Sequence, residues 1–162
     1  PVCKVRGELT DSVLLGFVNK AHDGHLGHAM LGCWVNLGAG TSNSDLKNNY
    51  SPVRVWTLDG ERDTGMVKVG CFIGDHVKTG IGTMLNTGTV VGAASNIFGA
   101  QMPPPVVPPF SWGSGTDLRD YRFESFMETA ERSMARRARK LTPGTRRILT
   151  RAWQETRVRR AV

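Results

Sequence analysis

From Ile73 the chain reads IGDHVK, TGIGTM, LNTGTV, VGAASN and IFGAQM, six residues at a time, with VKVGCF from Val67 just ahead. The same template runs upstream through CKVRGE from Cys3, LTDSVL from Leu9 and LGFVNK from Leu15. It continues in two five-residue variants from Ala21 and Leu26, then in LGCWVN from Leu31 and LGAGTS from Leu37. Twelve of these thirteen units open with an apolar residue, Thr79 being the exception. A composition that is 40% apolar predicts about five by chance. Position five of one unit and position one of the next lie two apart, so both side chains point to one side of a short strand. That side is the expected core, with Val77, Thr83, Thr89 and Ser95 at position five. Glycine at position two (Gly16, Gly27, Gly32, Gly38, Gly74, Gly80, Gly92) is expected to take positive φ where the chain turns sharply. The pattern predicts an all-β solenoid, a parallel β-helix of hexapeptide repeats, and helical periodicity does not fit it. With three units to a coil, the repeats give about two coils on each side of an interruption, a short prism with little interior of its own.

The interruption spans residues 43–66 and is longer than an ordinary connection. Asn43, Asn48, Asn49 and Tyr50 beside Lys47 make it an expected contact surface. After Gln101 the sequence MPPPVVPPF is too proline-rich for a ladder and reads as an extended strap. Phe123, Met127, Ala130, Met134, Ala138 and Leu141 recur at helical spacing, which predicts a helix over 117–141 whose apolar stripe must be buried. Thr142-Pro143 suits the start of a second helix. The organisation expected is a β-helix over 1–102 with its inserted loop at 43–66, a strap over 103–116 and a helical basic tail over 117–162.

The net charge of +7 is confined to that tail. Residues 1–115 carry eight basic and eight acidic side chains, 8 − 8 = 0, and residues 116–162 carry 13 − 6 = +7. Arg132, Arg136, Arg137, Arg139 and Lys140 crowd one stretch, where cations also complement a helix C-terminus. Few aromatic side chains interleave with them, so nucleic acid is not an expected partner. No run approaches the ~18 apolar residues of a spanning helix, so no membrane is expected either. The three cysteines, Cys3, Cys33 and Cys71, form no CxxC pair and fit a reducing, cytoplasmic setting. His22, His25, His28 and His76 fall at different unit positions, and no metal is expected.

The run HDGHLGHAMLGCWVNLGAGTSN from His22 to Asn43 resembles the acetyltransferase half of GlmU-type proteins. NKAHDG (19–24), NSDLKNNY (43–50), GDHVKTGIGTMLNTGTVVG (74–92) and PPFSWG (108–113) are similar to GlmU-like bacterial sugar nucleotidyltransferases. The resemblance covers roughly residues 1–140. It implies a left-handed β-helix, a homotrimer and an N-terminal nucleotidyltransferase domain outside this chain. Acetyl-CoA is the implied co-substrate, and an amino-sugar phosphate or nucleotide sugar the implied acceptor. Counted without gaps from LGAGT, His22 matches the family's general base, which would take a proton from the attacking sugar amine. Asn36 matches a catalytic-site asparagine, and Ala39 an alanine whose backbone lies beside the acetyl group. Asn49 and Tyr50 echo a substrate-binding pair once residues are inserted into the alignment. His25 stands where the family carries a substrate-binding tyrosine, and Thr10 where it carries a phosphate-binding lysine, with Lys20 nearby but out of register. These departures leave the acceptor open. The structural alternatives are a turn histidine paired with Asp23 for His22, a turn-satisfying amide for Asn36, and a non-catalytic domain that trimerises an attached nucleotidyltransferase.

Overall fold

In the computed structural model, which describes residues 2–99 and 101–160, the chain winds into a parallel β-helix of about six turns. It matches the left-handed type and is followed by C-terminal helices. Pro1, Ala100, Ala161 and Val162, which fall in the expected β-helix and tail, lie outside the described residues. Three strips of short strands make the faces. Face I stacks Lys4–Val5, Asn19–Lys20, Asn36, Lys78–Thr79, Asn96–Ile97 and Ser111–Ser114. Face II pairs Glu8–Thr10 with His25–Gly27 and Ser42–Asn43 with Met84–Leu85. Face III stacks Val13–Gly16, Met30–Cys33, Phe72–Ile73, Val90–Val91 and Val106–Val107.

Alternation does the sorting, because successive side chains of a strand point to opposite sides. Leu37 and Ile97 on face I, Leu26 and Leu85 on face II, and Leu31, Ile73, Val91 and Val107 on face III are buried. Val77, Thr83, Thr89 and Ser95 are buried too, as the repeat requires. The first coil departs from the expected frame by one residue. Leu14 packs against the core, while Leu15 is 51% exposed. The frame then puts Lys20, not Ala21, at the inward position of face I.

The position-two glycines serve a different purpose from the one expected. None of them is among the positive-φ residues. A Cβ at Gly32, Gly38, Gly74 or Gly92 would instead collide with Asp75, Gly80, Ala93 or Pro109 in the next coil. Stacking at about 4.8 Å per coil leaves no room for it. One corner, between faces III and I, carries left-handed residues with large side chains: Phe17, Trp34, His76 and Phe110, at φ 53°, 64°, 62° and 55°. Such conformations are unfavourable for bulky residues. Here the rings stack along the corner, Phe17 on Trp34 at 4.0 Å and Trp34 on His76 at 6.2 Å, which offsets part of that cost.

The proline-rich stretch is not outside the ladder. Val106–Val107 pairs with Val90–Val91, because the bonds it contributes include the Pro105 and Val107 carbonyls, which accept from the N–H groups of Val90 and Gly92. A proline carbonyl accepts as well as any other. The expected helix over 117–141 is shorter at both ends. Asp117–Asp120 folds back antiparallel on Ser111–Ser114, and the helix α1 spans Phe123–Ala135. Ala138 at φ 52° and a bond from the Arg139 N–H to the Met134 carbonyl end it. The second helix, α2, spans Pro143–Glu155 with Thr142 as N-cap, its hydroxyl accepting from the Thr145 N–H as the sequence suggests. The apolar stripe Phe126, Met127, Ala130 and Met134 is buried, with Phe126 edge-on to Phe110 and His76. Trp153 of α2 packs on Phe110 and Phe123. Along the stack, α1 runs from Phe110 in a late coil toward the first coils, where the segment after it places Arg139 over the Phe17 ring.

His76 lies inside this junction with its Nδ1 buried and unpartnered among the described residues. Burial, helped by the Lys78 cation, pushes its pKa down to about 4. The unfolded chain therefore binds a proton between about 6.5 and 4 that the folded chain refuses, so stability is present above the unfolded value and lost as pH falls through that window. The loss is expected to approach ~3 kcal/mol by pH 4. A urea-melt series from pH 7 to 4 should show a shallower decline for His76→Gln than for the parent.

Candidate functional site

The expected site residues are spread over four regions: the corner between faces I and II, face II, the insert and face I. His22 and Ala39 occupy one corner, between faces I and II, in adjacent coils, where the Gly40 N–H donates to the Asp23 carbonyl at 2.9 Å. His22 is exposed, and among the described residues its imidazole holds no hydrogen bond. Asp23 pairs with Arg6 at 3.4 Å rather than with His22. Ala39 presents backbone, its carbonyl accepting from the Gly82 N–H at 2.7 Å. Lys20 is not free to hold a substrate. It is 2% exposed, and its Nζ donates to the carbonyls of Arg6, His22 and Gly24 at 2.7, 3.2 and 2.6 Å. Burial lowers its pKa, with Asp23 acting in the opposite sense. It gathers the carbonyls of the corner that carries His22.

Around face II and its far corner, histidines meet carboxylates. His28 Nδ1 lies 2.7 Å from Asp45 Oδ2, and its Nε2 lies 3.6 Å from Asp11. His25 sits between Glu8 at 3.4 Å and the same Asp45 at 3.8 Å. A carboxylate on Nδ1 fixes a histidine's tautomer and leaves Nε2 to exchange protons. Asp45 and His28 lie one coil apart, seventeen residues, and the coil period could have paired them from the sequence. Acidic side chains here suit a cationic amine better than a phosphate.

Asn43 belongs to the coil, not to the contact surface expected of the insert. Its amide accepts from the Gly27 N–H and donates to the Gly27 carbonyl, both at 2.9 Å, while the Ser42 hydroxyl accepts from the His25 N–H. On face II side chains thus stand in for the backbone ladder between these two coils. The insert proper is closed at its base by the bond from the Val69 N–H to the Asp45 carbonyl and carries a hairpin, Arg54–Thr57 with Gly60–Asp63. Asn49 and Tyr50 are exposed on it, Tyr50 by 70%. Asn49 accepts from the Ser51 N–H.

Asn36 sits on face I. It accepts from Asn19 Nδ2 at 2.7 Å and stacks on Lys78, bordering a cleft of about 430 Å³ between face I and α1. Among the described residues no three of His, Cys, Asp and Glu converge as a metal site.

Fold and repeat together define a hexapeptide-repeat β-helix domain. No protein-family model matches the chain. It is 34% identical over 92 residues to a bifunctional sugar-1-phosphate nucleotidylyltransferase/acetyltransferase of Sulfurisphaera tokodaii, covering 56% of this chain and 23% of the relative. It is 31% identical over 90 residues to the bifunctional protein GlmU of Methanococcus maripaludis and 32% over 94 residues to that of Methanococcus vannielii, covering 22% of each and 56% and 58% of this chain. The chain is similar to these proteins and spans less than a quarter of their length.

Proposed function

We propose that this chain is the β-helix part of a GlmU-like protein of sugar-nucleotide synthesis and transfers an acetyl group from acetyl-CoA to an amino-sugar phosphate or nucleotide sugar. The observation that carries this reading is the 34% identity over 92 residues to a nucleotidylyltransferase/acetyltransferase. The juxtaposition of His22 with the Ala39 backbone at one corner, beside a face of carboxylate-held histidines, supports it. In such a site an imidazole takes the amine proton as nitrogen attacks the thioester carbonyl and backbone groups orient the acyl oxygen; the carbon–sulfur bond then breaks and the imidazolium returns the proton to the departing coenzyme A thiolate. The deciding experiment is calorimetry of acetyl-CoA with the full-length protein, joined to an acetylation assay over a panel of amino sugars and their phosphates. Saturable binding and one acetylated acceptor are expected. No binding at millimolar ligand together with no product overturns the reading.

A second reading, a non-catalytic assembly domain for an attached nucleotidyltransferase, is favoured by face III. Its outward residues Val13, Met30, Phe72, Val90 and Val106 form one apolar strip, with Val13 54% and Met30 46% exposed. A strip of this kind is suited to burial against further copies of the chain. Under either reading the assembly is a homotrimer in the cytoplasm, and among the described residues no helix is long and apolar enough to cross a membrane. Light scattering is expected to give three copies at micromolar concentration, and Val13→Glu/Met30→Glu is expected to give one. A monomeric parent protein contradicts the homotrimer.

A further inference from the structure

The cleft between face I and α1 is built from donors and cations with no acid to balance them. Lys4 and Lys78 come from the β-helix, Arg132, Arg136 and Arg137 from α1 and the turn after it, and Asn36 from the middle coil. Among the described residues no carboxylate lines it. Arg132 pairs with Glu128 at 3.1 Å, but among the described residues Lys4, Lys78, Arg136 and Arg137 form no ion pair with a carboxylate. Among the described residues Arg137 Nη2 is buried without a hydrogen-bond partner, and Nη1 reaches only the Val2 carbonyl, at 3.5 Å. A buried, unpaired guanidinium nitrogen is costly, and like charges gathered in a partly dry cleft repel. The apolar stripe of α1 holds them together regardless, because Phe126, Met127, Ala130 and Met134 anchor the helix on the other side.

We propose that this cleft binds the phosphate group of a small phosphorylated molecule. Guanidinium forks and ammonium groups supply many N–H donors and about four uncompensated positive charges, which suits a multiply charged tetrahedral oxyanion better than a carboxylate. The Asn36 amide, held by Asn19, adds a neutral contact that fixes orientation. Lys78 spends two of its donors on the Trp34 and His76 carbonyls, at 2.7 and 3.2 Å, which leaves one. Burial brings its pKa down to about 8, and a neighbouring anion would raise it again. At about 430 Å³ the cleft has the size of a small-molecule site and not of a groove for a duplex. The inference rests on the cleft alone and does not depend on acyl transfer.

Hydrogen exchange of the full-length protein, read by mass spectrometry with and without inorganic pyrophosphate, localises the effect. Pyrophosphate at millimolar concentration is expected to slow exchange at least fivefold in residues 129–140, and Arg136→Gln/Arg137→Gln is expected to abolish that protection. Lys4→Gln, at an exposed position, is expected to raise the half-maximal pyrophosphate concentration several-fold with the melting temperature unchanged, which keeps the test valid where the double variant fails to fold. Absence of protection in 129–140, or protection that survives these substitutions, overturns the proposal. Protection by a single-stranded RNA 12-mer at a lower concentration than pyrophosphate also overturns it, since the occupant is then a nucleic acid.

Discussion

Replacing His22 by asparagine in the full-length protein is expected to lower acetyl transfer about 10²–10⁴-fold, the usual contribution of a positioned base. Fold and assembly should be untouched, because the imidazole is exposed and only the His22 carbonyl is used, by Lys20. The structure also supplies a competitor. His28, with Asp45 at 2.7 Å, has the orienting carboxylate that His22 lacks among the described residues. The paired experiment is therefore His22→Asn against His28→Asn, read as kcat/KM. A loss confined to His22 supports the corner it shares with Ala39 as the reaction centre. Full activity in His22→Asn with collapse in His28→Asn removes His22 from the chemistry and moves the base to face II.

Lys20→Met is expected to destabilise the fold by about 3 kcal/mol, since methionine keeps most of the stem volume but leaves three carbonyls unpaired in a part-buried corner. Relief of ammonium burial offsets part of that cost, which places the estimate near one kcal/mol per carbonyl. For a domain of this size the melting temperature should drop by roughly 6–12 °C. A shift below 2 °C in thermal denaturation followed by circular dichroism would show that the carbonyls find water instead.

Lys20 also shows where sequence reasoning stops. Leu31, Ile73, Val91 and Ile97 were legible because an apolar residue every six positions has one physical explanation, burial in a strand stack. Lys20 and Asn43 occupy the same inward positions, and hydropathy treats both as surface residues. What selects them is a set of backbone groups that need partners, visible only once the coils are stacked. The prolines at 103–105 misled for a related reason. Their missing N–H matters in a central strand and much less where the preceding coil draws on the Pro105 carbonyl. Helical spacing alone extends the helix back over Asp117–Asp120, because the strand with which that segment pairs is not revealed by local spacing. His22, Ala39 and Asn36 were placed by resemblance. Asp45 with His28, and Lys78 with Arg137, needed the coil period and the helix packing respectively.

A stack of coils in which each touches only its neighbours ordinarily comes apart from its ends, one layer at a time. Helix α1 and the turn after it change that. Thirteen residues at 1.5 Å make a rod of about 20 Å, roughly four coil spacings; Phe126 in its first turn engages Phe110 late in the stack, and Arg139 in the turn after it lies over Phe17 near the beginning. Layers remote along the winding are thereby clamped by a single member, so the first coil cannot peel away without loosening the last. The domain should open in one concerted event, and partial fraying, the common weakness of short linear arrays, is closed to it.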